Sequence, residues 1–140
     1  MSKRFENKVV VITGGSRGIG KGIAQRFARE GASVCIAANE PLAQQTAQEL
    51  REQGARAMSV IVDVTSRDEV KAMYEAVARE LGEVDISVQN AGVITVARLE
   101  DLSEAEWDKI MAVNTKGVFL CCQEAALRMR SAGKKGRLIN

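Results

Sequence analysis

The chain contains no histidine. This absence excludes His-based catalytic triads, histidine general bases and nearly all catalytic zinc sites, so we expect no metal centre. The apolar runs, such as 9–12, are far too short for a transmembrane helix or the core of a signal peptide. Three cysteines, Cys35, Cys121 and Cys122, form no Cys-x-x-Cys motif, which favours buried thiols in a reducing cytosol. The sequence therefore predicts a cytoplasmic protein that does not enter a membrane.

An excess of either charge is also lacking, since 20 Lys and Arg against 18 Asp and Glu leave a net charge of +2. With no basic run, nucleic acid is a poor candidate partner. The 140 residues are 46% hydrophobic and 27% charged, which is typical of a globular protein and excludes disorder. We therefore predict a single domain over residues 1–140.

Short apolar segments alternate with segments of helical period along the chain. The apolar segments predict five strands, at 9–12, 33–38, 57–62, 85–89 and 136–140. The periodicity between them predicts four helices, the last a single long helix over about 103–129. This alternation is typical of a doubly wound α/β domain with a parallel sheet, in which ligands bind outside the carboxyl ends of the strands. Functional residues are therefore expected near 13–20, 38–40, 63–64 and 90–95.

Two of the predicted helices carry apolar stripes that bear on function. In the first helix Ile19, Ile23 and Phe27 recur every fourth residue, with Ala24 and Ala28 beside them, which indicates an amphipathic helix. The stripe on the long helix consists of Trp107, Ile110, Met111, Val118, Cys121 and Ala125, with Asn114 among them. A polar side chain on a buried face has to be hydrogen-bonded. Asn114 is therefore interpreted either as a structural bridge between two segments or as a functional residue.

A glycine-rich segment, Thr13-Gly14-Gly15-Ser16-Arg17-Gly18-Ile19-Gly20, joins the first strand to the first helix. Glycines allow positive φ and let backbone N–H groups approach a phosphate, and a helix N-terminus favours an anion. The segment is either a tight packing turn or an anion-binding loop. Gly15-x-x-x-x-Gly20-Lys21 also matches most of a P-loop, but Gly22 stands where a Ser or Thr must hold magnesium, which argues against a P-loop-like phosphate binder.

The spacing Gly14-x-x-x-Gly18-x-Gly20 after Thr13 resembles the short-chain dehydrogenase/reductase family. Three further segments share the resemblance in the right order: Asp63-Val64, Gln89-Asn90-Ala91-Gly92 and Trp107 to Asn114. The family has Asn where Gln89 stands, and we expect from this a local change in packing rather than loss of the site. The resemblance covers essentially the whole chain and implies a Rossmann-type sheet with strand order 3-2-1-4-5.

The resemblance also implies a set of site residues. The implied cofactor-binding residues are Gly14, Ser16, Arg17, Gly18, Ile19, Gly20, Asn39, Asp63, Val64, Asn90, Ala91 and Gly92. In the family the residue at the Asp63 position contacts the adenine. From the residues alone, Asp63 could equally be an exposed cap or turn residue. Asn114 corresponds to a catalytic Asn that holds a kink in its helix and a water in a proton relay.

The end of the second strand bears on the choice of cofactor. NAD-dependent sites carry an Asp or Glu there, bonded to the ribose 2′-OH, and this position falls at Ala38. Arg17 lies beside the ribose in the family and could pair with a 2′-phosphate. We therefore expect NADP(H) to be preferred, with NAD(H) possible, because a small shift of the loop could bring Glu40 to the ribose.

Three members of the family's catalytic set are not found in these 140 residues: a Ser that orients the substrate, and the Tyr and Lys of Tyr-x-x-x-Lys. The single tyrosine, Tyr74, lies on the buried stripe of the third helix, and Ala78 stands four residues later. We expect the chain to be the cofactor-binding part of an oxidoreductase acting on an alcohol or ketone, truncated after the fifth strand and inactive alone. A non-catalytic dinucleotide-binding module is the alternative. For the full-length protein the resemblance implies a homo-oligomer, usually a tetramer.

Overall fold

Strands and helices alternate throughout residues 3–140, the part of the chain that the computed structural model describes. The strands are β1 (Val9–Thr13), β2 (Ser33–Ala38), β3 (Ala57–Ile61), β4 (Ile86–Gln89) and β5 (Arg137–Ile139). The helices are α1 (Gly18–Arg29), α2 (Leu42–Glu52), α3 (Arg67–Glu80), α4 (Glu104–Met111) and α5 (Val118–Ser131). A short 3₁₀ turn (Leu99–Asp101) precedes α4, and a π-helical turn (Ala112–Gly117) joins α4 to α5.

The five strands form one parallel sheet in the order β3-β2-β1-β4-β5. In its centre Val10 of β1 is in register with Val34 of β2 on one side and with Ile86 of β4 on the other. Parallel neighbours require crossover connections, and the helices between the strands provide them. The predicted doubly wound α/β fold with strand order 3-2-1-4-5 is therefore confirmed.

Each face of the sheet is covered by helices, so β1 is apolar on both faces. Val10 and Ile12 belong to a core with Ala24 of α1 and with Ala47 and Leu50 of α2. The alternate side chains of β1, Val9 and Val11, belong to a second core with α3 and α5. Period-two alternation of side chains along a strand produces this division. The carboxyl edge of the sheet is left clear of both helical layers.

The packed face of α1 differs from the apolar stripe in its sequence at one position. Ile19 is 78% exposed, whereas Gly20, Ala24 and Ala28 are buried. Helical residues turn by about 100° each, so Ile19 lies about 100° away from Gly20, while Phe27 lies only about 20° from Gly20. Ile19 therefore lies off the packed face, because a row of small residues makes the contact with the sheet.

The predicted long helix runs from α4 through the π-helical turn into α5, and its apolar stripe is buried at one end only. In α4 no residue is buried, and Trp107 is 57% exposed. In α5 Cys121 and Ala125 are buried, because α5 packs on α3 and β4. Asn114 lies in the exposed π-helical turn between them. The inference that Asn114 occupies a buried face was therefore wrong.

Candidate functional site

An open cleft of about 320 Å³ lies at the carboxyl edge of the sheet. This is within the range of roughly 300–1,000 Å³ that is common for small-molecule sites. Nine residues expected from the sequence line it: Gly14, Ser16, Arg17, Asn39, Asp63, Val64, Asn90, Ala91 and Gly92. Segments that are far apart in the chain meet here because parallel strands end at the same edge.

The glycine-rich turn forms the floor of the cleft through close backbone contacts. Gly14 and Gly18 have φ values of 64° and 57°, which disfavour residues with a side chain. A Cβ at Gly14 would lie 2.9 Å from the Cα of Ala91, and a Cβ at Gly20 would overlap the Gly14 carbonyl. Gly18, Ile19 and Gly20 themselves lie outside the cleft lining, where they form the first turn of α1. Gly20 therefore allows backbone to pack on backbone, whereas Gly18 allows the positive φ of the turn.

The N-terminus of α1 is electrostatically suited to an anion. No acidic side chain lies in its first turn, and the N-cap residue Arg17 makes no side-chain capping bond. The first N–H groups of a helix have no partner within that helix, and the helix dipole places partial positive charge there. A Cβ added to Gly18 would meet no atom within 4 Å, so the turn is open on that side. A phosphate group fits this surface.

Thr13 ties the segment after β4 to the end of β1. Its Oγ1 accepts hydrogen bonds of 3.1 Å from the N–H groups of both Asn90 and Ala91. The Asn90 side chain in turn donates to the Gly14 carbonyl oxygen at 3.0 Å. These bonds fix one wall of the cleft against its floor. Thr13 was not among the predicted site residues, although a polar residue that ends an apolar strand was a usable signal.

Asn114 lies outside the cleft lining and clamps the same wall from the helical side. Its Oδ1 accepts from the Val93 N–H at 2.8 Å, and its Nδ2 donates to the Val93 carbonyl at 2.9 Å. Asn114 thus bridges two segments, as one of its two interpretations required, but on an exposed surface. Val93 itself lines the cleft and was missed, because an apolar residue in a loop carries no recognisable signal.

Glu40 contributes a carboxylate to the opposite wall, directly beside the glycine-rich turn. Its Oε1 accepts a hydrogen bond from the Ser16 hydroxyl at 2.5 Å and lies 3.3 Å from Nε of Arg17. The Ser16 carbonyl oxygen also accepts a 2.5 Å bond from the buried Thr46 hydroxyl of α2. Ala38, at the end of β2, carries no charge. The acidic group of this wall is therefore Glu40 rather than a residue at the strand end itself.

Asp63 lines the cleft and also caps a turn. The Thr65 hydroxyl and backbone N–H both donate to its Oδ1, at 2.7 Å and 2.9 Å. These bonds hold the pKa of Asp63 below its ordinary value, and the bond from the Thr65 hydroxyl has the larger effect. Burial of the group acts in the opposite direction. Asp63 is therefore anionic at neutral pH. The structure shows it as a turn residue, and its contact with the adenine stays a prediction.

Tyr74 lies in the sheet core, away from the cleft. It is 1% exposed, and burial raises the pKa of its phenol far above the ordinary value of 10.0. Its hydroxyl is 2.5 Å from the Ser87 hydroxyl, which also contacts Gln89. The Gln89 side chain then donates to Sγ of Cys122 at 3.4 Å. Gln89 thus points into the interface between β4 and α5, and the local packing change expected from Gln in place of Asn stays a prediction.

None of the helices within residues 3–140 is long and apolar enough to cross a bilayer.

Curated relatives match almost the whole chain. It is 37% identical over 139 residues to the 3-oxoacyl-[acyl-carrier-protein] reductase FabG of Staphylococcus epidermidis, covering 96% of this chain and 55% of the relative. It is 36% identical over 134 residues to the hydroxynaphthalene reductase-like protein Arp2 of Metarhizium robertsii, covering 94% and 50%. For the 3beta-hydroxysteroid dehydrogenase of Mediterraneibacter gnavus the identity is 31% over 139 residues, covering 98% and 50%. The chain thus spans about half the length of the curated relatives it matches.

A solved structure and a family model also match almost the whole chain. The crystal structure of a short-chain type dehydrogenase/reductase from Mycobacterium marinum superposes with a TM-score of 0.93 at 37% identity, covering 98% of this chain and 56% of that one. The model of the short chain dehydrogenase family matches residues 8–140. The chain therefore belongs to the short-chain dehydrogenase family.

Proposed function

We propose that the cleft binds a nicotinamide dinucleotide and serves a reversible hydride transfer between that cofactor and an alcohol or carbonyl substrate. The observation that carries this proposal is the packing of the glycine-rich turn, where Gly20 lies against the Gly14 carbonyl with no room for a Cβ. The acid-free N-terminus of α1 next to this turn fits a pyrophosphate. Family membership supports the same chemistry.

Each wall has a role in holding the cofactor. The backbone N–H groups from Gly14 to Gly20 would hold the pyrophosphate, and Asp63 with Val64 would contact the adenine. The segment from Asn90 to Gly92 would line the rest of the site. When bound, the nicotinamide supplies or accepts the hydride, and the protein residues bind, orient and shield it.

Between the two nicotinamide cofactors we propose a preference for NADP(H), with NAD(H) as a weaker ligand. Ala38 leaves the strand end without a carboxylate, and Arg17 lines the cleft with a 75% exposed side chain that contacts Glu40 through Nε and can also pair with a phosphate. Titration of the chain with NADPH and NADH, followed by nicotinamide fluorescence, tests this preference. Tighter binding of NADH would overturn it, and failure of both to bind would overturn the dinucleotide site.

Asn114 is proposed to act at the reacting end of the site. By holding Val93 through both its amide groups, it keeps the wall next to Gly92 in one position. Its place in the π-helical turn fits the role, implied by the family, of holding a helix kink and a water of a proton relay.

We also propose that these 140 residues do not reduce a carbonyl by themselves. Hydride transfer to a carbonyl needs a proton donor at the oxygen with a pKa near neutrality. The one phenol, Tyr74, is buried, bonded to Ser87 and has a raised pKa. An assay with NADPH and a panel of ketones should therefore show cofactor binding without turnover. Turnover would overturn this proposal, whereas binding alone would not separate a cofactor-binding part from a non-catalytic binding module.

We also propose that the protein forms a homo-oligomer, and that the full-length protein is a tetramer. Large apolar side chains are exposed on the segment from the cleft to α5, namely Ile94, Val96, Leu99, Trp107 and Phe119. Exposed apolar groups in such number are typical of an interaction surface. Light scattering during size-exclusion chromatography measures the mass directly, and a concentration-independent monomer would contradict self-association of this chain.

A further inference from the structure

A buried hydroxyl on α2 makes a long-range bond to the glycine-rich turn. Thr46 is fully buried and lies with Ala43, Ala47 and Leu50 on the packed face of that helix. A threonine within a helix often donates to the carbonyl four residues earlier in its own helix. The Thr46 hydroxyl donates instead to the carbonyl oxygen of Ser16 at 2.5 Å, across 30 residues of chain. On an otherwise apolar face, the hydroxyl therefore adds one specific link between α2 and the turn.

The Ser16 carbonyl oxygen is placed immediately before the hydrogen-bond ladder of α1. The carbonyl of the next residue, Arg17, accepts from the Lys21 N–H at 3.2 Å. Arg17 is also the N-cap residue, and it makes no side-chain capping bond. Without a cap of its own, the first turn of the helix is positioned by contacts with other elements. In a trans peptide the N–H points away from the carbonyl, so the bond from Thr46 to Ser16 also fixes the direction of the Arg17 N–H.

The turn is anchored as far as Ser16 and open beyond it. The Gly15 N–H donates to a carbonyl oxygen of β2 at 3.4 Å, and Ser16 is buried. In contrast, the Arg17 side chain is 75% exposed, and a Cβ on Gly18 would meet no atom within 4 Å. The bond from Thr46 therefore acts where the anchored part of the turn passes into the open part, which is where a phosphate would bind.

We propose that Thr46 is a positioning residue for cofactor binding, which holds the glycine-rich turn in the shape that receives a pyrophosphate. This inference rests on the proposed dinucleotide site, and Thr46 itself lies outside the cleft lining. Order that the turn already has in the free chain does not have to be imposed on binding, so the affinity is higher. The pyrophosphate is common to NADP(H) and NAD(H), and Thr46 should therefore strengthen the binding of both by the same factor.

The first test is Thr46→Val, which keeps the branched shape and replaces the hydroxyl by a methyl group. We expect the Kd values for NADPH and NADH to rise together, each roughly fivefold, as for the loss of one hydrogen bond. Thr46→Ser keeps the hydroxyl and should bind both cofactors within about twofold of the unmodified chain. Nicotinamide fluorescence measures the binding. An unchanged Kd in Thr46→Val, a changed ratio of the two Kd values, or no recovery in Thr46→Ser would each overturn the proposal.

Ala47→Gly is the matched control for a general loss of stability. Ala47 is the next residue of α2 and belongs to the core with β1, so the substitution weakens the helix without touching the hydroxyl of Thr46. Thermal melting should show a lower Tm for this variant, while its Kd for each cofactor stays within about twofold of the unmodified chain. A rise in Kd equal to that of Thr46→Val would assign the effect to stability alone.

The second test locates the effect in the turn by NMR. The amide nitrogen of Arg17 shares a peptide group with the Ser16 carbonyl, so its chemical shift reports on the bond from Thr46. This shift should move in Thr46→Val, return in Thr46→Ser and stay unchanged in Ala47→Gly. An Arg17 shift that stays fixed in Thr46→Val would contradict the positioning role. If neither cofactor bound the unmodified chain, the dinucleotide site itself would be overturned, whereas the Arg17 shift would still show whether Thr46 holds the turn.

Discussion

Gly20 and Gly22 lie two residues apart on α1, and the space around Gly20 is crowded whereas the space around Gly22 is open. A Cβ at Gly20 would overlap the Gly14 carbonyl and press on the Asn90 amide, whereas at Gly22 it would meet nothing within 4 Å. We expect Gly20→Ala to weaken NADPH binding at least tenfold, because the turn has to move away from Asn90. Gly22→Ala, the matched control, should keep binding and stabilise the fold by about 0.5–1 kcal/mol.

Fluorescence titration and thermal melting of the two glycine variants measure both effects. Equal losses of cofactor affinity in Gly20→Ala and Gly22→Ala would contradict the contact between the turn and Asn90.

The Asp63 carboxylate gives a pH-dependent contribution to stability with a definite sign. Because its folded pKa is lowered, this contribution is fully present above the ordinary value of 3.8 and is lost as the pH falls through the folded pKa. Thr65→Val removes the hydroxyl donor and should move the pKa of Asp63 up towards its ordinary value. Carboxyl NMR titration measures the pKa, and the change in stability should be under about 1 kcal/mol at this exposed site.

Thr65→Ser is the control for that titration, since it keeps the hydroxyl and should keep the lowered pKa. If Thr65→Val left the Asp63 pKa where it is, the backbone N–H of residue 65 would have to be its main cause.

At the scale of elements, two hydrogen bonds from Asn114 to Val93 join the π-helical turn to the loop after β4. We expect Asn114→Ala to cost about 1–2 kcal/mol of stability, the net value of two hydrogen bonds, and to speed exchange of the Val93 amide hydrogen. Asn114→Asp keeps the acceptor but loses the donor. It should therefore still protect the Val93 N–H, with a stability between those of the unmodified chain and Asn114→Ala. Native-state hydrogen exchange makes the measurement, and an unchanged Val93 rate in Asn114→Ala would show that other contacts hold this wall.

The strands and most helices could be predicted from sequence because period-two and helical patterns are local. The π-helical turn in the long helix could not be predicted from the residue pattern, since residues 103–129 have a helical pattern throughout, and only the resemblance implied a kink at Asn114. The turn is bonded to Val93, which is 21 residues from Asn114, and it contains Gly117, where a Cβ would lie 2.7 Å from Cγ2 of Val64. Contacts of this kind arise only when β3 and β4 bring their following loops to the helix.

For the whole molecule, the single tyrosine reports on the integrity of the core. Its folded pKa is raised, so the stability due to the neutral phenol is fully present below about pH 10, its ordinary value, and is lost as the pH rises above it. We expect tyrosinate absorbance to appear only when the chain unfolds, and circular dichroism measures that unfolding in the same titration. Tyr74→Phe should abolish the signal, remove this pH dependence and cost about 1 kcal/mol for the bond to Ser87. Tyrosinate in a chain that is still folded would contradict the burial of Tyr74.

The location of the cleft followed from sequence, but part of its chemistry did not. Parallel topology places the loops after each strand at one edge, so Gly14, Asp63 and Asn90 could be expected together. The orientation of the Glu40 side chain could not be predicted, because a two-residue offset from Ala38 leaves several directions open. Only the packed structure brings that carboxylate onto Ser16 and Arg17.

The two walls of the cleft are held by different forces. Neutral hydrogen bonds from Thr13 and Asn114 hold the wall after β4, whereas an ion pair between Arg17 and Glu40 contributes to the wall after β2. Dissolved ions screen exposed charges over about 10 Å at 0.1 M but leave neutral hydrogen bonds almost unaffected. Rising ionic strength therefore weakens the contact between Arg17 and Glu40, while the bonds that hold the wall after β4 stay in place.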